Sequence, residues 1–131
     1  MAYQVFLRGL RFHAAHGVSP QERTVGGDFL VDVTVHATAP GDSRDPSLTD
    51  NLSHAVNYAA LYDTVRREMA TPSNLLEHAA RRIGQAILAD VPDAIAVDVS
   101  LTKLNPPLGA DCLAGGAGVT LHLTNDKNYN R

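Results

Sequence analysis

Asp28-Phe29-Leu30-Val31-Asp32-Val33-Thr34-Val35-His36-Ala37 is the stretch that decides the fold. Phe29, Val31, Val33, Val35 and Ala37 share one side of an extended chain, a period of two that marks a strand with one face covered. Upstream, residues 3–14, with Tyr3, Val5, Phe6, Leu7, Leu10 and Phe12, form a second extended segment, followed by the turn-rich Gly17-Val18-Ser19-Pro20. The two segments are expected to pair as an antiparallel ribbon with a long loop between them.

Downstream, residues 40–53 are dense in Pro, Gly, Asp, Ser and Asn and read as connection. Asn57 can cap a helix from Tyr58 to Met69, in which Leu61, Tyr62 and Val65 recur at helical spacing. Thr71-Pro72-Ser73-Asn74 ends that helix and offers caps for the next. This second helix is expected from Leu75 to Ala89, with Leu76, Ala79, Ala80, Ile83 and Ile87 on one stripe. Ile95, Val97, Val99 and Leu101 then alternate with Asp98, Ser100 and Thr102 in a third strand. Val119, Leu121 and Leu123 alternate with Thr120, His122 and Thr124 in a fourth, over residues 118–124. The order ββααββ with clean alternation predicts an α+β fold, a four-stranded antiparallel sheet with both helices on one face. The 131 residues suit one such domain. A four-stranded sheet leaves two edges open, and joining copies edge to edge into a closed ring removes them, so a homo-oligomeric barrel is expected.

Composition narrows the function classes. The net charge of -3 is mild and the only adjacent basic pairs are Arg66-Arg67 and Arg81-Arg82, which is no footprint for nucleic acid. Arg8 and Arg11 interrupt the apolar N-terminal stretches, unlike a secretory leader, and the chain lacks the long uncharged run of a bilayer-spanning helix. A single cysteine, Cys112, excludes an internal disulfide, and a cytoplasmic protein is expected. The glycines Gly115, Gly116 and Gly118 lead into a strand, the wrong context for a phosphate cradle. The six histidines, His13, His16, His36, His54, His78 and His122, contain no HExxH or comparable ligand pair, so no metal is expected.

Lys103 is the most informative residue. It keeps the parity of Ile95, Val97, Val99 and Leu101, which places an amine on the apolar face, where partial desolvation suits it to act as a general base. The alternative is a strand-end lysine whose head reaches water. Asn105-Pro106-Pro107 stiffens the chain just after it. Glu77 lies in the first turns of the second helix, where a carboxylate either complements the helix dipole or offers two oxygens to a planar pair of N–H donors. Tyr58 opens the first helix and Glu22 sits in the loop after His16-Gly17-Val18, both at element ends where sites are often built.

Five pieces in register carry a resemblance: Leu7-Arg8-Gly9-Leu10-Arg11-Phe12, His16-Gly17-Val18 with Glu22, Val56-Asn57-Tyr58, Asn74-Leu75-Leu76-Glu77-His78 and Leu101-Thr102-Lys103-Leu104-Asn105-Pro106-Pro107. In order and spacing, from Val5 to about Leu123, the chain resembles the dihydroneopterin aldolase family. The resemblance implies the tunnelling fold, in which four subunits close a barrel and two rings commonly stack into an octamer with active sites at subunit interfaces. It further implies that Glu77 grips the 2-amino and N3-H edge of a pterin beside the backbone of Leu76, that Tyr58 and Val56 contact the bound pterin, that Glu22 lies near the side-chain hydroxyls, and that Lys103 is the catalytic lysine, with no cofactor. Many relatives have a glutamine where this chain has Gly27, and the segment 109–116 maps onto no role. An epimerase of the same fold, a zinc-dependent pterin synthase and a non-catalytic pterin-binding ring are the alternatives. The first would want a basic cluster if its substrate were a triphosphate, and the second three converging histidines; neither is apparent.

Overall fold

A computed structural model describes residues 1–106 and 113–125. Its four strands are β1 (Ala2–Ala14), β2 (Gly27–Thr38), β3 (Ala94–Lys103) and β4 (Ala117–Thr124), and they pair in chain order, every neighbour antiparallel. Two main helices, α3 (Tyr58–Met69) and α4 (Leu76–Asp90), lie between β2 and β3 and cover one face, as the alternation predicts. Phe29, Val31, Val33 and Val35 of β2 and Val97, Val99 and Leu101 of β3 are fully buried beneath Leu61 and Val65 of α3 and Ile83 and Ile87 of α4. Each such side chain stabilises the fold by roughly 1.5–3 kcal/mol, and a one-residue slip of a strand would turn its whole set to the other face, so this burial fixes the register.

Three short elements occupy stretches that read as loop. α1 (Pro20–Thr24) lies between β1 and β2, while α2 (Pro46–Thr49) and a 3-10 turn (Leu52–His54) punctuate the connection after β2. Each is started by a side-chain cap, from Ser19, Asp45 and Asn51. Asn57 caps α3 as expected, its side-chain oxygen accepting from the Ala59 N–H at 2.9 Å. The start of α4 departs from expectation: its N-cap is Leu75, with no side-chain cap.

A bulge between Leu7 and Leu10 bends β1, where the Gly9 N–H donates to Asp32 Oδ1 at 2.6 Å. β1 and β4 are the two open edges. Among the described residues no helix is long and apolar enough to cross a membrane. Cys112, Pro107 and the first half of the segment 109–116 lie outside the described residues.

Candidate active site

Lys103 is the last residue of β3 and pairs with Phe29 across the sheet. Its Nζ stands 5.7 Å from the centroid of the Phe29 ring and forms an ion pair with Glu22 Oε2. Only 11% of the Lys103 side chain and 21% of that of Glu22 is exposed, so the amine is held inside the fold and does not reach out to water. The turn into β4 packs against this strand end: at Gly116 (φ +76°) a Cβ would stand 2.3 Å from the Lys103 carbonyl oxygen.

Glu22 reaches the amine from α1. Ser19 Oγ accepts from the Glu22 N–H at 3.1 Å while Glu22 Oε1 accepts from the Ser19 N–H at 3.3 Å, a capping box that fixes the carboxylate. The hydrogen bond from Lys103, followed by that from the Ser19 backbone, holds the Glu22 carboxyl below the usual glutamate range, so it is ionised. Gly17 makes the space. Its φ is +148°, and a Cβ there would lie 2.5 Å from Glu22 Cδ and 2.6 Å from Oε2.

Around the pair opens a cleft of about 330 Å³, lined by His13, Ser19, Glu22, Gly26, Gly27 and Asn105 among others. That is the scale of a site for a small molecule. Gly27 lies along the Lys103 stem, since a Cβ there would meet Lys103 Cε at 3.6 Å.

His16 is buried behind this end of the sheet. It is 1% exposed and packs edge-on against Phe29 at 5.3 Å between centroids. Its Nδ1 accepts from the Ser73 N–H at 3.0 Å, and the Gly17 N–H donates to the Ser73 carbonyl at 3.0 Å, so two bonds clamp this loop to the one before α4. Burial, reinforced by Arg82, Arg23 and Lys103, lowers the His16 pKa to about 4. The ring is therefore neutral with its proton on Nε2, which has no hydrogen-bond partner among the described residues.

The same clamp brings the start of α4 to this end of the molecule. Ser73 Oγ also bonds His78 Nδ1 at 2.8 Å and accepts from Arg82 Nη2 at 2.9 Å, and Arg23 of α1 donates to the Asn74 side chain. A second cleft, about 380 Å³, is lined by Arg23, Pro72, Ser73, Asn74, Leu75 and His78. Leu76 and Glu77 open α4 beside it, with Glu77 exposed and without a hydrogen-bond partner among the described residues. Here the structure gathers Lys103, Glu22, Leu76 and Glu77 at one end of the sheet.

Val56 lies toward the other. The Tyr3 phenol lies beside the backbone of Val56, and Tyr3 pairs with Ala37, whereas Lys103 pairs with Phe29. Eight residues of β2 separate these positions, roughly 26 Å at a strand's rise per residue. Tyr58, 66% exposed, begins α3, whose later Tyr62 stacks on Phe12 toward the Lys103 end. Tyr58 is not among the residues that line the Lys103 cleft.

Sequence reading passed over His16, Gly17 and Ser19 as parts of the site. Ser19-Pro20-Gln21-Glu22 does carry a legible signal, a capping box with proline at the first helical position. His16 carries none, because its burial depends on Ser73, 57 residues away.

Comparison with known proteins agrees with this fold. A dihydroneopterin aldolase of Staphylococcus epidermidis is 32% identical over 123 residues, 93% of this chain and 97% of the relative. One from Streptococcus pyogenes is 32% identical over 114 residues, 86% of this chain and 92% of the relative. The crystal structure of Escherichia coli dihydroneopterin aldolase in complex with neopterin superposes with a TM-score of 0.76 at 23% identity, covering 92% of this chain and 98% of that one. The family model for dihydroneopterin aldolase matches residues 5–122, and the chain belongs to the dihydroneopterin aldolase family.

Proposed function

We propose that the protein cleaves 7,8-dihydroneopterin by a retro-aldol reaction to 6-hydroxymethyl-7,8-dihydropterin and glycolaldehyde, at sites built between subunits of a ring. The observation that carries the reading is the Lys103–Glu22 pair, an amine and a carboxylate fixed against each other in a sheltered cleft. Family membership supplies the substrate class, and the Escherichia coli relative binds neopterin.

The residue types suit the reaction. A base takes the proton of the 2′-hydroxyl, the C1′–C2′ bond breaks as glycolaldehyde leaves, and its electron pair enters the C=N of the dihydropterin ring. A proton returned to C1′ completes the product. Since the substrate brings its own electron sink, the reaction needs neither a lysine imine nor a Lewis-acid metal. Lys103 shuttles the proton, through a water, while the Glu22 carboxylate orients the hydroxyls and that water. At the same end, Glu77 offers two oxygens to the 2-amino and N3-H edge of the pterin, beside the Leu76 backbone at a helix start without a side-chain cap. Tyr58 and Val56, outside the Lys103 cleft of their own chain, complete a neighbour's site when the open edges β1 and β4 join head to tail.

The test is turnover of 7,8-dihydroneopterin by wild type and by Lys103→Ala, with sedimentation to establish that both form rings. Loss of roughly 10²–10⁴ in kcat is expected for the variant, the usual worth of a positioned acid–base group. Normal turnover by Lys103→Ala removes its assigned role. Release of the C2′ epimer without glycolaldehyde replaces the aldolase reading with the epimerase one.

A further inference from the structure

The helix-free face of the sheet carries a cluster that the proposed reaction does not use. His36 of β2, Asp98 of β3 and His122 of β4 stand on three adjacent strands, with Asp98 directly opposite His122 and two residues from Ala96, the partner of His36. Asp98 Oδ2 lies 2.6 Å from His36 Nε2, and Asp98 Oδ1 lies 2.5 Å from His122 Nδ1. The two rings stand 5.8 Å apart at 74°. One donor atom from each residue falls within 4.8 Å of the other two. Asp98 is five residues before Lys103 and of opposite parity, so the cluster sits roughly 17 Å along the strand from the catalytic amine and on the other side of the sheet.

We propose that His36, Asp98 and His122 form a binding site for a divalent transition-metal ion of the zinc class. Tetrahedral zinc holds nitrogen and oxygen donors at about 2.0–2.2 Å, hence about 3.4 Å from one another. The present N···O distances need to open by less than about 1 Å, and donors no more than 4.8 Å apart to close by little over 1 Å, within the rotation of side chains on a surface. Two imidazoles and one carboxylate are the donor set of zinc and its transition-metal neighbours and not of magnesium or calcium, which take oxygen. His122 is 56% exposed, so water can reach the remaining coordination position. His36 also has an outer partner. Its Nδ1 lies 3.3 Å from the Gln4 side-chain amide, and with the amide turned to present its oxygen, Gln4 accepts the Nδ1 proton and leaves the Nε2 lone pair for the metal. The bound ion links β2, β3 and β4, a structural role separate from turnover. Without an ion, the same carboxylate accepts one hydrogen bond from each imidazole.

The test is calorimetric titration of chelator-stripped full-length protein with zinc chloride alone, repeated with cobalt chloride to read the visible absorption of a tetrahedral site. One zinc per chain is expected, with affinity reduced at least 100-fold in Asp98→Asn and in His122→Gln and about 10-fold in Gln4→Ala. Zinc is expected to raise the melting temperature of wild type and not of the first two variants, and turnover of 7,8-dihydroneopterin is expected to stay unchanged in all three. Circular dichroism checks that each variant folds, and either ligand variant suffices. Failure of the wild type to bind zinc, or equal affinity in a folded ligand variant, overturns the site: the cluster is then a hydrogen-bonded His-Asp-His network only.

Discussion

Burial of the His16 ring near the cations Arg82, Arg23 and Lys103 sets a pH response of the fold. Its pKa falls from 6.5 to about 4, so between those values the unfolded chain takes up a proton that the folded chain refuses. Stability from this residue is therefore full above pH 6.5 and declines as the pH drops toward 4, by about 3 kcal/mol at most. His16→Asn keeps an acceptor for the Ser73 N–H and removes the titration. Urea midpoints measured at neutral pH and near pH 4.5 are expected to separate widely for wild type and by less for the variant; equal separations would mean that His16 takes its proton in the folded state. Lys103 was legible at this scale because its parity continues an apolar strand face, and its burial over Phe29 decides against a lysine reaching for water. The His36, Asp98 and His122 cluster was not legible, since residues on three strands meet only through register, which spacing along one chain does not display.

At the scale of elements, α1 is a five-residue helix whose task is to present one carboxylate. Its accuracy depends on Gly17, where any side chain both strains the backbone and strikes Glu22. Gly17→Ala is expected to destabilise the fold by roughly 1–3 kcal/mol and to lower turnover at least tenfold, because Glu22 is pushed off Lys103. A melting curve and the same turnover assay check both. Activity retained at full strength would show that the ion pair reforms around the methyl group. The four strands and both main helices follow from periodicity in the sequence, which reports burial directly. The start of α4 does not: Ser73 looks like a cap by residue type, yet its hydroxyl is taken by His78 and Arg82, and only the tertiary structure reveals that competition.

Across the whole molecule, the two open edges and the absence of Tyr58 from the Lys103 cleft both support the proposed ring. Subunit mixing tests it. Lys103→Ala and Tyr58→Ala are each expected to be weak alone, while unfolding and refolding them together restores about a quarter of the sites, since each of the two contributions is intact half the time in a random ring. Activity equal to the mean of the two separate variants would place both residues in one subunit's site. The placement of these residues also reaches beyond structure into rate law. In the proposed ring each chain contributes to two sites and obeys mass action in its own concentration as well as in substrate, so turnover per chain is expected to collapse on dilution below the dissociation constant of the ring. How much enzyme a cell makes would then determine how well each copy works.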